Sequence, residues 1–340
     1  MRIFIRLAAT AALLSTLASA SLAAEPEQTK LSIAVGSQIL NYMPLALGEK
    51  LGFFKTEGLD VTIQNFQAGG SKALQALIGG SVDAVVGFYD HTIQMQAKGK
   101  AVRCVFLLNE VPGIVFGVRS DLADKVKSGA DLKGMRIGIT TPGSSTDMIA
   151  RYYVKKSGLD LKDVTFIAAG SGAPGMVALE NKNVEVLGYY DPTATLLERK
   201  NAVKVLFDGR TVAGSQAAFG GIYPTACLYL NQSFIDKNPE TVQRLADALL
   251  RTVRWIHANP TEVVVDAIPA GYKLDDRALN LEIMKASTAL FSKTGLFDAE
   301  AVKTPLAVLS SYDDAIAKAN IDLSKTYTNR FAEEAAKRIP

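Results

Sequence analysis

The tetrapeptide Gly87-Phe88-Tyr89-Asp90 recurs as Gly188-Tyr189-Tyr190-Asp191, and its surroundings recur with it. Each copy closes an apolar run entered through a valine and an acid, Val82-Asp83 in the first and Val184-Glu185 in the second. Upstream of each lie a glycine-rich turn and a helical pattern ending in Ala-Leu. These are Gly69-Gly70-Ser71 to Ala76-Leu77, and Gly170-Ser171-Gly172 to Ala178-Leu179. A single tetrapeptide match is cheap, but the same order of turn, helix, acid and strand marks a duplicated structural unit. Such a chain is expected to fold as two related lobes.

Short β-type runs alternate with helical patterns through the first two thirds of the chain. The expected strands are Leu31–Val35, Val61–Phe66, Ala84–Phe88, Val102–Leu107, Arg136–Ile139, Val164–Ala168, Val184–Gly188 and Val203–Phe207. Between them fall helix candidates at Met43–Lys50, Ser71–Ile78, Thr92–Ala97, Thr146–Lys156, Pro174–Leu179 and Thr193–Arg199. This alternation predicts α/β lobes with mostly parallel sheets flanked by helices. Beyond Tyr229 the pattern turns helical, and Asn238-Pro239-Glu240 opens a long helix through His257. Ligands of open parallel sheets bind at the carboxyl ends of the strands. Both Tyr-Asp pairs fall at such ends, so they are expected on opposite walls of one cleft.

Arg2 and Arg6, an apolar run from Leu7 to Ala18 and small residues to Ala24 have the order of a secretory leader, expected over residues 1–24. With no cysteine there, a lipid anchor is not expected, and the reading is a free periplasmic protein. No later run reaches the roughly 18 apolar residues a membrane span needs. The whole chain has 37 basic and 34 acidic residues; removing Arg2 and Arg6 leaves 35 against 34, a net of +1. A near-neutral surface has no footprint for nucleic acid. Length favours two domains. Cys104 and Cys227 are open to two readings, one disulfide or two buried thiols, and neither has metal-ligand spacing.

Met43-Pro44-Leu45-Ala46, the run Gly52-Phe53-Phe54-Lys55-Thr56-Glu57-Gly58-Leu59-Asp60-Val61, Gly69-Gly70-Ser71, Gly79-Gly80-Ser81-Val82-Asp83 and Pro142-Gly143-Ser144-Ser145-Thr146 carry a family likeness. Together they resemble the nitrate/sulfonate/taurine-type substrate-binding proteins of ABC importers, within the thiamin-pyrimidine-precursor-binding-like superfamily. The resemblance implies a type II, Venus-flytrap periplasmic-binding-protein fold. Lobe I would hold residues 30–115 and 222–340, and lobe II residues 116–221, with crossing strands near Ile114–Val118 and Tyr223–Leu228. It further implies a small-molecule ligand, an importer permease as partner, a monomer and no cofactor. Glycines 113, 117, 220 and 221 with Pro224 suit a hinge.

Candidate ligand contacts are placed by strand ends and helix starts. Ser37, Gln38 and Tyr42 follow the first strand. Gly70 and Ser71 open one helix, and Ser144, Ser145 and Thr146 another; a hydroxyl there also serves as an N-cap. Tyr89 and Tyr190 are expected to face the ligand, with Tyr189 packed inward. His91 and Tyr223 complete the set. Asp90 and Asp191 have two readings, ligand contact or helix cap, the latter with Pro192 as first helical residue. With no arginine beside them in sequence, two acids count against a bare inorganic oxyanion and favour a ligand with a cationic or hydrogen-donating nitrogen, such as an amino sulfonate or a nitrogen heterocycle. The chain has two histidines and none of the nucleophile, phosphate-loop or metal-cluster motifs of an enzyme. A non-catalytic receptor is therefore expected, with a sensory receptor or a thiamin-pyrimidine biosynthetic-type enzyme as alternatives.

Overall fold

A computed structural model describes residues 24–339. Among these, ten strands form two five-stranded sheets with the same spatial arrangement, the antiparallel strand coming last in the chain order of one and first in that of the other. The first has the order β2-β1-β3-β10-β4, built from β1 (Lys30–Val35), β2 (Asp60–Asn65), β3 (Ala84–Phe88), β4 (Val102–Leu107) and β10 (Ala226–Asn231). The second has the order β7-β6-β8-β5-β9, built from β5 (Val115–Arg119), β6 (Arg136–Ile139), β7 (Thr165–Ala168), β8 (Val186–Tyr189) and β9 (Val203–Asp208). In each sheet one strand runs against the others. It is β10 in lobe I, between β3 and β4, and β5 in lobe II, between β8 and β9. These two strands are where the chain passes between lobes. The sheets are thus mostly parallel in direction, although half of the pairings are antiparallel.

The repeat has a physical basis. Asp83 and Ser32 exchange two bonds, Asp83 N–H to Ser32 O at 2.9 Å and Ser32 N–H to the Asp83 carboxylate at 2.8 Å. Glu185 and Arg136 repeat them at 2.9 and 2.8 Å. The acid ahead of each central strand therefore satisfies a donor on its neighbour that the ladder leaves open. The repeated glycine makes room for an aromatic ring from the crossing strand. A Cβ on Gly87 would stand 2.8 Å from the Tyr229 ring, and one on Gly188 2.8 Å from Phe116.

The helices include α1 (Gly70–Ile78), α2 (Asp90–Ala97), α3 (Ser145–Lys156), α4 (Thr193–Arg199) and α5 (Pro239–Ala258). The apolar stripe of α5, including Val242, Leu245, Leu249, Val253 and Ile256, is buried against lobe I. Its N-terminus is capped from far upstream, since Glu27 accepts from Thr241 N at 2.8 Å and Glu240 N at 3.1 Å. Cys104 on β4 and Cys227 on β10 form a disulfide, fully buried in lobe I. Pro192 does not begin α4 as expected; the helix starts at Thr193 with Pro192 as its cap. The expected leader lies outside the described residues except for Ala24. Among the described residues no helix is long and apolar enough to cross a membrane.

Candidate functional site

The carboxyl ends of the two sheets face each other across a small chamber, with about 280 Å³ of free space including its mouth. Lobe I contributes Ser37 and Ile39 from the loop after β1, Tyr42, and Gly69-Gly70 at the start of α1. Lobe II contributes Thr140 after β6, Ser144, Ser145 and Thr146 at the start of α3, Ser171, and Tyr190 after β8. The lining is hydroxyls, backbone and apolar surface. Among the described residues it includes no Asp, Glu, Lys, Arg or His.

Two helices from opposite lobes begin at this chamber, and neither has a side-chain cap among the described residues. At α1 the cap position is Gly69, which has no side chain to offer. At α3 it is Ser144, a residue suited to capping, but its hydroxyl is spent elsewhere. It donates to Thr141 O at 2.7 Å and accepts from Thr140 Oγ1 at 2.7 Å. Thr146 Oγ1 likewise accepts from Thr140 N at 2.8 Å. The hydroxyls thus brace the turn and leave first-turn amides open. Such amides, with the positive end of the helix dipole behind them, suit an anionic or acceptor-rich group. Ser37 Oγ adds a buried polar atom with no partner among the described residues, on the lining itself.

The lobes are shut over the chamber. Ser71 Oγ meets Thr141 Oγ1 at 2.8 Å, and Thr141 Oγ1 donates to Ala68 O at 3.0 Å. On the other side Leu40 N donates to Asp191 O at 3.2 Å, and Arg199 of α4 pairs with Glu282. The approach is close enough to need a glycine at position 69. Its φ is +80°, and a Cβ there would lie 2.7 Å from Thr141 Oγ1.

Ser37, Tyr42, Gly70, Ser144, Ser145, Thr146 and Tyr190 come together as chamber lining. Others do not. Gln38 is exposed, with its amide lying over Gly271. Ser71 sits at the seam. Tyr89 faces the far side of the sheet, its hydroxyl bonded to Thr326 and its ring packed on Phe297 and Tyr327. The reason is register: Tyr89 lies six residues beyond Asp83 but Tyr190 only five beyond Glu185, and successive strand residues face opposite sides, so the repeated tyrosines fall on opposite faces of their sheets. Tyr190 instead packs edge-on to Phe88 beside the chamber, and Tyr189 is buried in lobe II as expected.

The two acids part company as well. Asp191 accepts from Thr195 N at 3.0 Å and Thr195 Oγ1 at 2.7 Å, and Arg210 stands 3.6 Å from its other oxygen. No arginine stands beside these acids in sequence, but the fold brings Arg210 to Asp191. Asp90 is fully buried behind the lining, accepting from Ser145 Oγ at 2.9 Å and Tyr223 Oη at 3.1 Å. Burial pushes its carboxyl above the usual range. His91 is buried beside it, Nδ1 sharing a bond with Tyr229 Oη at 3.1 Å and Nε2 without a partner among the described residues; burial lowers its pKa. Neither acid presents a free carboxylate to the chamber. A cationic ligand loses its support with them.

Thr140 and Ser171 were missed as ligand candidates, although the repeat contained Ser171 and the strand pattern placed Thr140 at the carboxyl end of β6. Thr140 is the first residue after β6, in the loop that corresponds to Gly36-Ser37 after β1, and Ser171 lies in the turn equivalent to Gly69-Gly70-Ser71.

Residues 39–263 match the family model described as NMT1/THI5 like. A solved structure from Bordetella bronchiseptica RB50 is 38% identical, superposes with a TM-score of 0.88, and covers 93% of this chain and 99% of its own. The alkanesulfonate-binding protein SsuA from Xanthomonas axonopodis pv. citri, bound to MOPS, has a TM-score of 0.68 at 18% identity over 89% of this chain and 99% of its own, a likeness of fold. YtlA of Bacillus subtilis (strain 168), a binding protein by name, is 26% identical over 72% of this chain and 71% of its own. The 4-amino-5-hydroxymethyl-2-methylpyrimidine phosphate synthase of Aspergillus parasiticus is 24% identical over 85% and 83%.

Proposed function

The chain belongs to the NMT1/THI5-like family and has the two-lobed fold of periplasmic binding proteins, and from that premise we propose that it captures a small solute by an anionic head group and delivers it to an ABC importer. One observation carries the ligand class. Two uncapped helix N-termini, one from each lobe, meet at a closed chamber whose described lining has hydroxyls but no side-chain charge. A sulfonate or carboxylate there would take its hydrogen bonds from amides and hydroxyls, and its charge would meet two positive helix ends.

The chamber is small in the closed state, which favours a compact solute. Tyr42 and Tyr190 supply flat walls for its carbon portion. The reading is of a binding protein rather than an enzyme, because a lining of hydroxyls and backbone offers no general base or nucleophile-base pair to a trapped molecule. Export by the leader, a periplasmic location, a monomeric state and docking on a permease complete it.

Isothermal titration of the leaderless protein with 2-aminoethanesulfonate, short alkanesulfonates, nitrate and an aminopyrimidine tests the assignment. Saturable one-to-one binding of a sulfonate, absent for the aminopyrimidine, is the expected result. Binding of the aminopyrimidine alone would overturn it, as would binding of none.

A further inference from the structure

One carboxyl group joins all three parts of the molecule. Asp90 belongs to α2 of lobe I, Ser145 to α3 of lobe II, and Tyr223 to the segment by which the chain returns to β10. The Asp90 carboxyl takes a hydroxyl from each of the other two, at 2.9 and 3.1 Å, and is wholly enclosed. Ser145 is chamber lining, so Asp90 acts on the site without touching its contents.

We propose that Asp90 is a positioning residue that clasps the lobes together and makes their closure consume a proton. This rests on the reading that the chamber closes over a solute. Opening breaks the Ser145 bond and admits water to the carboxyl; closing removes it to a place where no described lysine or arginine bonds it. The titratable groups facing it are His91 on its own helix, Tyr223 on the returning segment, Tyr42 and Tyr190 at the chamber, Tyr229 on β10 and Tyr312 near the C-terminus. Burial keeps the tyrosines neutral and opposes a charge on His91. A lone carboxylate among neutral groups in a dry seam is costly, and protonation removes that cost.

The proton count gives the sign. Enclosure in the closed form raises the Asp90 pKa and lowers that of His91. Where Asp90 is charged in the open form and protonated in the closed one, closure takes up a proton and weakens by up to about tenfold per pH unit as pH rises. The lowered His91 pKa acts in the opposite sense and weakens closure toward acid pH. Asp90→Asn removes the first effect and leaves the second.

The seam provides a readout that needs no ligand. Ser71 Oγ and Thr141 Oγ1 are 2.8 Å apart across it. The S71C/T141C protein, with Cys104–Cys227 left intact, can be equilibrated in glutathione buffers from acid to alkaline pH. The bridged fraction is read from linked peptides by mass spectrometry. Thiol ionisation cancels when the Asp90 protein is divided by its D90N counterpart. A ratio that falls as pH rises, by up to about tenfold per pH unit, is expected. A constant ratio sinks the proton linkage, and no bridge in either protein sinks the seam itself. Infrared spectra of the bridged Asp90 protein at pH 7.5 supply a second reading: a protonated-carboxyl band absent from the unbridged protein supports the clasp, and no such band refutes it. Failure of the solute assignment shows separately, in the titrations above.

Discussion

Substituting Ser37→Asp is expected to weaken sulfonate binding about a thousandfold. Ser37 Oγ is buried on the chamber lining with no partner among the described residues, so a carboxylate built there has nothing to neutralise it and points at the ligand's head group. Two like charges about 4 Å apart repel by about 4 kcal/mol at the effective dielectric of a partly buried site, which is about three decades in affinity. Ser37→Ala removes a single hydrogen bond and should cost about 1 kcal/mol, or roughly fivefold. The contrast between the two variants is the signature of an anion. Titration calorimetry on both measures it, and an S37D protein that binds as tightly as the parent, or gains affinity for a cation, would reverse the assigned charge.

Removing the Cys104–Cys227 bridge is expected to cost about 5 kcal/mol of stability, the chain-entropy value for a closed loop of this length. The bonded residues are 123 apart in sequence, and the loop they close contains all of lobe II. Both lie in neighbouring strands of lobe I, so the bridge pins together the two points where the other lobe is inserted. Alanine at both positions avoids leaving buried thiols or hydroxyls. Calorimetric melting of the C104A/C227A protein should show a midpoint lower by roughly 10 °C, given the per-residue entropy of domains this large. An unchanged midpoint would mean that the unfolded chain is not restrained by the loop.

The strands and helices were legible because their signals are local. The helices Met43–Lys50 and Thr193–Arg199, and strands β3, β4 and β6, fall at the residues their patterns mark. The duplication was legible too, and it proved to reach down to single hydrogen bonds at Asp83 and Glu185. What the motif match concealed was orientation. Tyr89 and Tyr190 hold the same place in the tetrapeptide, but the first copy lies one residue further from its acid, and that step turns one tyrosine away from the chamber and the other into it. The partners of the two acids were equally hidden, because Arg210, Ser145 and Tyr223 are remote in the chain and meet them only after folding. The pairing of the cysteines depended on the register of β4 against β10, which composition does not encode.

The hydroxyl-rich turn at Ser144 illustrates the same limit. From sequence, capping and ligand contact are alternatives for these residues. In the structure neither describes Ser144, whose hydroxyl braces Thr140 and Thr141 so that the helix start stays open. An uncapped helix end in a closed, uncharged chamber is a stronger indication of ligand chemistry than any single side chain in this protein.

That indication is tested most directly by locating the ligand. Crystals of the leaderless protein grown with 2-bromoethanesulfonate would show the bromine by anomalous scattering and the sulfonate by its density. The expected map places the sulfonate in the chamber, within hydrogen-bond reach of the amides at Gly70 and Ser145 and of Ser37 Oγ. A sulfonate found instead only in the basic surface groove lined by Lys100, Arg103 and Lys325, with the chamber empty, would contradict the account.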